Sequence, residues 1–269
     1  MSIMRKLYIS ADIEGVCGIA DWKETDPTDA QGAYFRAEMT SEVRAACAAA
    51  VEAGVAEIFV KDAHDSGRNI DPSALPDNVR IMRAWTRDPW SMMAGIDSSF
   101  GGAMLIGYHS GTGSDGNPLA HTMNTNNVRV LLNGEEASEF LINTYSAAAA
   151  GVPVILVSGD RQLCEKARAL DPRIAAVPVS EGIGNASVSI NPRLAVAGIH
   201  DEAARAIRAA EGARPIALPS SFDVSIEFRQ HYMAYRGSFY PGAKRLSPLA
   251  VGFACKTWLE ALTFLFWVL

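Results

Sequence analysis

Cysteine is scarce in this chain: Cys17, Cys47, Cys164 and Cys255 are the only four in 269 residues, widely spaced and without a CxxC pair. That excludes a disulfide-stapled secreted scaffold and a thiolate zinc site, and points to a reduced, cytoplasmic protein. Basic charge is also in short supply. Twenty-four Lys and Arg stand against 30 Asp and Glu, for a net charge of −6 with no basic run of five. A phosphate backbone therefore meets no electrostatic footprint, and nucleic acid is not an expected partner. Long apolar runs are missing too. The ending TWLEALTFLFWVL follows Lys256 and is interrupted by Glu260, whereas a membrane span needs roughly 20 apolar residues. It is expected to be a terminal helix packed on its own domain or on another subunit, with no membrane partner. The start MSIMRKLYISADIEG has too short an apolar stretch for a signal peptide. The phosphate loop GxxxxGK, a GxGxxG turn after a strand, and the HExxH helix are all lacking, so the common nucleotide and single-zinc peptidase signatures give no support.

What is present is ordinary globular material, 49% hydrophobic and 20% charged, with no internal repeat or low-complexity linker. Short apolar runs alternate with helical stretches. Strands are expected at Lys6–Ala11, 56–61, Val79–Met82, 103–108, 128–132 and 154–158. Helices are expected at 34–53 and 136–150, each stopped by a glycine, Gly54 and Gly151. Strands apolar on both faces and separated by helices predict an α/β fold with a doubly wound, mostly parallel sheet. Beyond about residue 180 the character changes: 181–192 is turn-rich, 193–210 reads as a helix, Phe222–Phe228 alternates as a half-buried strand, and 249–254 leads into the terminal helix. The expectation is a metal-binding catalytic α/β domain over 1–180 and a smaller α+β domain over 181–269, whose terminal helix can return to the first domain.

Three strand ends carry potential ligands. The first runs into Asp12-Ile13-Glu14, the second into Asp62-Ala63-His64-Asp65, and AMLIGY ends at His109. In an open parallel sheet ligands bind beyond the carboxyl ends of the strands, so these residues can converge there. Asp, Glu and neutral His are zinc ligands, and a carboxylate can bridge two ions in a two-metal hydrolase. Taken singly, each carboxylate reads as a helix cap and each histidine as a structural residue; the collection on one sheet edge favours a metal site. His121 lies in a polar, glycine-containing loop suited to a mobile catalytic residue. Among Glu135, Glu136 and Glu139, spacing leaves all three open as a ligand or as a first-turn acid. Asp62 and Asp65 flank His64 and are read as structural or solvated, with orientation of its second ring nitrogen as the alternative. Ser110-Gly111-Thr112-Gly113 reads as a flexible loop, and Ser158-Gly159-Asp160 as a strand-to-helix turn.

The motifs SADIEG, KDAH, GYH, AHTMN and SEFLINTY, with the ending AVGFACKTWLEAL, together resemble the zinc-dependent D-aminopeptidase family, peptidase family M55. The spacings from Asp12 to His64 and from His121 to Glu139 resemble the family's without gaps. The loop between His109 and His121, SGTGSDGNPLA, departs from it by being slightly longer and richer in glycine and polar residues. The resemblance implies a doubly wound first domain and a smaller second one serving oligomerisation and substrate access. It implies two Zn2+ per subunit, with Asp12 as the bridging carboxylate and Glu14, His64, His109 and Glu139 as the other ligands. His121 would be the catalytic histidine. It also implies ring-like homo-oligomers that admit a small peptide or amide substrate, whose D-aminoacyl amide bond is hydrolysed by a metal-activated water. The competing readings are a dinuclear hydrolase of another small amide, a metal-dependent phosphatase and a non-catalytic peptide-binding protein. Magnesium phosphatases prefer oxygen ligands, and the histidines speak against that chemistry.

Overall fold

A computed structural model of the chain describes residues 4–269. In chain order the elements are β1 Lys6–Ala11, α1 Trp22–Thr25, α2 Gly32–Glu52, β2 Glu57–Asp62, β3 Val79–Met82, β4 Gly102–Tyr108, β5 Asn127–Leu132, β6 Glu135–Glu136, α3 Glu139–Ala149, β7 Val154–Asp160, α4 Arg161–Leu170, β8 Ala175–Ile183, β9 Ala186–Ser189, α5 Pro192–Ala209, β10 Phe222–Phe228, α6 His231–Gly237, β11 Lys244–Arg245, β12 Ala250–Cys255 and α7 Trp258–Val268. They build a mixed α/β protein with two sheets.

The first sheet has the order β3-β2-β1-β4-β7-β8-β9. All its neighbours run parallel except the β8–β9 hairpin. β4 and β7 are buried at every residue, as strands covered on both faces must be. One face carries α2 and α5, whose Val43, Ala46, Ile199 and Ala203 meet Leu7, Ile9 and Val60. The other carries Phe140 of α3, Leu163 of α4 and Met92 and Met93, packed on Tyr8, Leu105 and Val157.

The second sheet, β11-β12-β10-β5-β6, is antiparallel throughout. β10 shows the alternating burial of a one-sided sheet, with Val224, Ile226 and Phe228 inward. α7 covers that face, capped by Thr257 in a reciprocal bond with Glu260. Its Trp258, Leu262, Phe264 and Leu265 are buried, each worth roughly 1.5–3 kcal/mol of burial. Trp258 Nε1 donates to Ser146 Oγ of α3 at 3.1 Å, so the terminal helix packs within its own chain.

Sheet membership does not follow a cut at residue 180. The strand expected at 128–132 in the parallel sheet is β5, and it pairs antiparallel with β10 in the second sheet, Val130 opposite Ile226. Its Val130 and Leu132 are buried while Arg129 is exposed and faces Glu227, the one-sided pattern of an antiparallel strand. Conversely, β8 continues to Ile183 in the first sheet, and α5 packs against α2. The connection between β4 and β7 thus leaves the first sheet, supplies two strands to the second and returns through α3. That excursion carries His121 and Glu139 back over the ends of β1 and β4.

Candidate metal centre

The order reverses between β1 and β4, and the site lies beyond their carboxyl ends, where open α/β sheets hold ligands. After β1 the chain presses against the end of β4: Gly15 N–H donates to Gly107 O at 2.9 Å. A Cβ on Gly15 would lie 1.7 Å from Tyr108 O, so only glycine fits and the two preceding acids are held over the sheet. Asp12 Oδ1 accepts from Ile13 N at 2.9 Å, and Glu14 O accepts from Asn117 Nδ2 at 3.0 Å.

His64 follows β2 on a turn organised by Asp62, whose carboxylate accepts from Asn69 N, Asn69 Nδ2 and Ile70 N. Asp62 is structural, as expected, and Asp65 O accepts from Trp85 Nε1. Glu139 is the first residue of α3, behind the N-cap Ser138. Glu135 and Glu136 lie exposed on β6, with Glu136 paired to Lys166 at 3.1 Å, away from the cluster. The stretch expected to be a flexible glycine loop is instead pinned. Ser110 N and Oγ both donate to Asp160 at 2.6 Å, and Thr112 Oγ1 donates to Asn127 Oδ1 at 2.8 Å. Asp160 at the end of β7 also caps α4 through Leu163 N.

These elements bring Asp12, Glu14, His64, His109, His121 and Glu139 together. Asp12 faces two histidines with different oxygens: Oδ1 lies 3.4 Å from His64 Nδ1, and Oδ2 lies 3.5 Å from His109 Nε2. Glu14 Oε2 is 3.1 Å from His64 Nδ1, and Glu139 Oε2 is 3.6 Å from His109 Nε2. Two compact ligand triads result, Asp12-Glu14-His64 and Asp12-His109-Glu139, sharing Asp12. His121 Nε2 stands between Glu139 at 3.6 Å and Glu14 at 3.9 Å, and its ring stacks on His109 at 4.4 Å. A third grouping, Glu14-His109-His121, has the same compactness.

The second ring nitrogens reveal the tautomers. His64 Nε2 contacts Thr25 O at 3.2 Å, His109 Nδ1 contacts Ser110 O at 2.9 Å, and His121 Nδ1 contacts Leu119 O at 2.9 Å. A carbonyl only accepts, so each of these nitrogens donates, and the opposite one is presented to the carboxylates, with its lone pair when the ring is neutral. Such outer hydrogen bonds orient metal-binding imidazoles. Within the cluster Asp12 Oδ2, Glu14 Oε2 and His109 Nε2 are buried and lack a hydrogen-bond partner. Lone pairs facing carboxylates in a buried space require an intervening cation or proton. Burial acts to push the His64 and His109 imidazoles down, but the negative charges they face, Glu14 and Glu139 foremost with Asp12 between, outweigh it and hold both well above the usual range. Burial likewise opposes ionisation of Glu14, yet the three histidines, His64 foremost, hold it well below the usual carboxylate range. The donor set of carboxylate oxygens and imidazole nitrogens fits zinc.

Above the cluster opens a cavity of about 770 Å³. Its walls include residues that the sequence did not single out: Trp22, Trp85, Arg87, Asp88, Met123 and Phe266. Trp22 stands edge-on to His121 at 5.2 Å, and Met123 N donates to Glu139 Oε1 at 2.7 Å. Met123 adopts a left-handed φ of 64°. No local pattern marks these residues, because they reach the cavity from loops and helices far apart in the chain, Trp22 from α1 and Phe266 from α7.

Buried carboxylates and imidazoles at a parallel-sheet switch point define a metal-centre protein of the α/β class. Its family is shown by the peptidase M55 model, described as D-aminopeptidase, which matches residues 4–266; the chain belongs to that family and is therefore a hydrolase. It is 28% identical over 258 residues to the D-aminopeptidase of Bacillus subtilis (strain 168), covering 95% of this chain and 93% of that protein. The solved structure of the Zn-dependent D-aminopeptidase DppA from Bacillus subtilis, described as a self-compartmentalizing protease, superimposes with a TM-score of 0.91. It shares 27% identity, over 98% of this chain and 96% of the other. No helix among the described residues is long and apolar enough to cross a membrane.

Proposed function

We propose that the protein is a dizinc aminopeptidase or amidohydrolase that cleaves the amide bond of small D-aminoacyl peptides or amides. The observation that carries this reading is Asp12, whose two oxygens face His64 and His109 on opposite sides and so join two triads. Asp12 would be shared between the two ions, Glu14 and His64 would hold one of them, and His109 and Glu139 the other. Two zinc ions held there supply a water acidic enough to attack near neutral pH and Lewis acidity at the scissile carbonyl.

The chain's own residues do the rest. His121 lines the cavity, and its Nδ1 is committed to Leu119 O. Nε2 is left to take a proton from the attacking water and return it to the leaving amine, or to hold charge developing on the substrate oxygen. Trp22 fixes the plane of that ring by edge contact. The wall of Trp22, Trp85 and Phe266 limits the water around the reacting amide. The substrate's origin follows from relatives named D-aminopeptidase. A homo-oligomer of ring form, enclosing the sites and built in part by the smaller unit, accords with the self-compartmentalizing relative. Four unpaired cysteines accord with a cytoplasmic setting.

The test is amine release from D- and L-aminoacyl di- and tripeptides and simple amides, by zinc-loaded and chelated protein, with zinc per chain measured by mass spectrometry. Chelator-sensitive cleavage of D-aminoacyl substrates with two zinc ions bound is expected. Cleavage of L-peptides alone would retain the chemistry and remove the substrate assignment. His121→Ala is expected to keep both ions and lose at least about a hundredfold in kcat; loss of an ion would make His121 a ligand, as the third grouping allows.

A further inference from the structure

Arg87 lines the cavity and is the sole Lys or Arg among the residues that do so. Its guanidinium has no hydrogen bond or ion pair among the described residues, although Asp88 is its neighbour in sequence. Asp88 Oδ1 accepts from Trp90 N at 2.9 Å. Arg87 also adopts φ +65°, within a segment where Ala84 and Ser91 are left-handed as well, at +62° and +48°. Three non-glycine residues in that region within eight positions hold the chain in a costly path, of the sort that persists where surrounding contacts enforce it.

Those contacts anchor the segment at both ends. On one side Ala84 N donates to Gly67 O at 2.7 Å, Ala84 O accepts from Lys61 Nζ at 3.0 Å, and Trp85 Nε1 donates to Asp65 O at 2.6 Å. This end is thereby tied to the turn that carries His64. On the other side Met92 O accepts from Ser10 Oγ and Ala94 O accepts from Tyr8 OH, each at 2.9 Å, which ties the segment to β1 below Asp12. The cation is thus carried on a wall fixed to the two strands that supply Asp12, Glu14 and His64. Preorganisation of this kind lowers the ordering cost of binding an anion.

A short peptide has one cationic and one anionic end. Three carboxylates outside the ligand cluster, Asp26, Asp65 and Asp88, also line the cavity, and Asp26 and Asp65, not adjacent to Arg87 in the chain, suit the ammonium end. We propose that Arg87 receives the C-terminal carboxylate of the substrate, so that the enzyme selects short peptides with a free carboxyl terminus over aminoacyl amides and blocked peptides. The planar fork of guanidinium donors matches a carboxylate in two parallel bonds, which a lysine cannot reproduce. The proposal rests on the peptidase reading above.

The experiment compares kcat/KM of the zinc-loaded full chain on D-alanylglycine and D-alanylglycinamide, and on the corresponding tripeptide acid and amide. It is run for the native protein, Arg87→Ala, Arg87→Lys and Arg87→Gly. In the native protein one of the acids is expected to be preferred over its amide. In Arg87→Ala and Arg87→Gly that acid-to-amide ratio falls by about 10- to 100-fold, mainly through KM, the range for a lost charge-assisted pair. Arg87→Lys recovers part of it. Glycine accepts the left-handed backbone freely, so a loss shared by Arg87→Gly is not a folding defect. Titration calorimetry of a reduced-amide analogue, with and without the carboxylate, is expected to show the same difference in affinity. An acid-to-amide ratio unchanged in Arg87→Ala, or a native preference for the amides, overturns the role of Arg87 and leaves the peptidase reading standing. Failure of the zinc-loaded native protein to cleave any of the four overturns both.

Discussion

The two sheets of this protein use opposite strategies. The central strands of the first are buried on both faces, so their only polar outlets are the ends, and Asp12, His64, His109 and Asp160 all sit there or one or two residues beyond. The second sheet is buried on one face. Its chemistry is distributed along exposed sides and helices, with Tyr232, Tyr235, Phe239 and Trp267 all more than half exposed. Burial that is complete concentrates function at an edge; burial on one side leaves surface for walls and for other subunits. The excursion from β4 through β5 to α3 stitches the two together, and two of the six cluster residues lie on it.

The comparison can be broken most severely at Asp12. Asp12→Ala removes the carboxylate common to both triads. We expect zinc to fall from two ions to less than one and kcat/KM to drop at least about a thousandfold, since the metals supply several kcal/mol at the reacting carbonyl. One ion fully retained at native affinity would refute the shared-ligand arrangement.

Gly15→Ala comes next. Its Cβ would lie 1.7 Å from Tyr108 O, a backbone atom with no flexible side chain to yield. A loss of about 3 kcal/mol is expected, read as a lowered Tm together with weaker zinc binding because Glu14 shifts. An unchanged Tm would mean that the strand ends are looser than their hydrogen bonds indicate.

An effect that appears only as pH is varied concerns Glu42 of α2. Burial, offset in part by the bond from Cys17 N and reinforced by the Glu38 charge, raises its carboxyl to about 8, and Oε2 has no hydrogen-bond partner. Unfolded, the group ionises near its ordinary 4.5. Between these values the folded state binds more protons, so this group lowers stability as pH rises, by up to about 1.4 kcal/mol per pH unit. Glu42→Gln is expected to flatten that part of the Tm profile between pH 5 and 8. A profile identical to that of the native protein would show Glu42 ionised in the fold.

The smallest effect on the subunit itself belongs to the second region. Phe239 is 70% exposed and Trp267 68%. Phe239→Ser with Trp267→Ser is expected to change subunit stability by about 0.5 kcal/mol or less while lowering the assembled mass in sedimentation. Unaltered mass would place the subunit contacts on another surface.

Five strands of the first sheet, β1, β2, β3, β4 and β7, were legible because each is short and punctuated, as in KLYISA before Asp12, AEIFVK before His64 and AMLIGY before His109; β8 and β9 were not, since β9 lies inside the turn-rich stretch 181–192. Local pattern is sufficient where a strand is buried on both faces. β5 was misplaced because VRVLL fits either sheet, and its partner, β10, lies more than ninety residues further on. The choice between Glu139 and its neighbours was likewise open locally. Geometry separates them: β6 holds Glu135 and Glu136 in solvent, and the first turn of α3 points Glu139 at His109.

The sequence by itself determined the α/β pattern, the strand ends and the residue types able to hold a metal, since these depend on neighbours within a few positions. Tertiary structure alone decided which oxygen of Asp12 meets which histidine, which ring nitrogens are committed to Thr25, Ser110 and Leu119 carbonyls, and that a free Arg87 faces the cavity. Those relations join segments tens of residues apart, and only packing sets their distances.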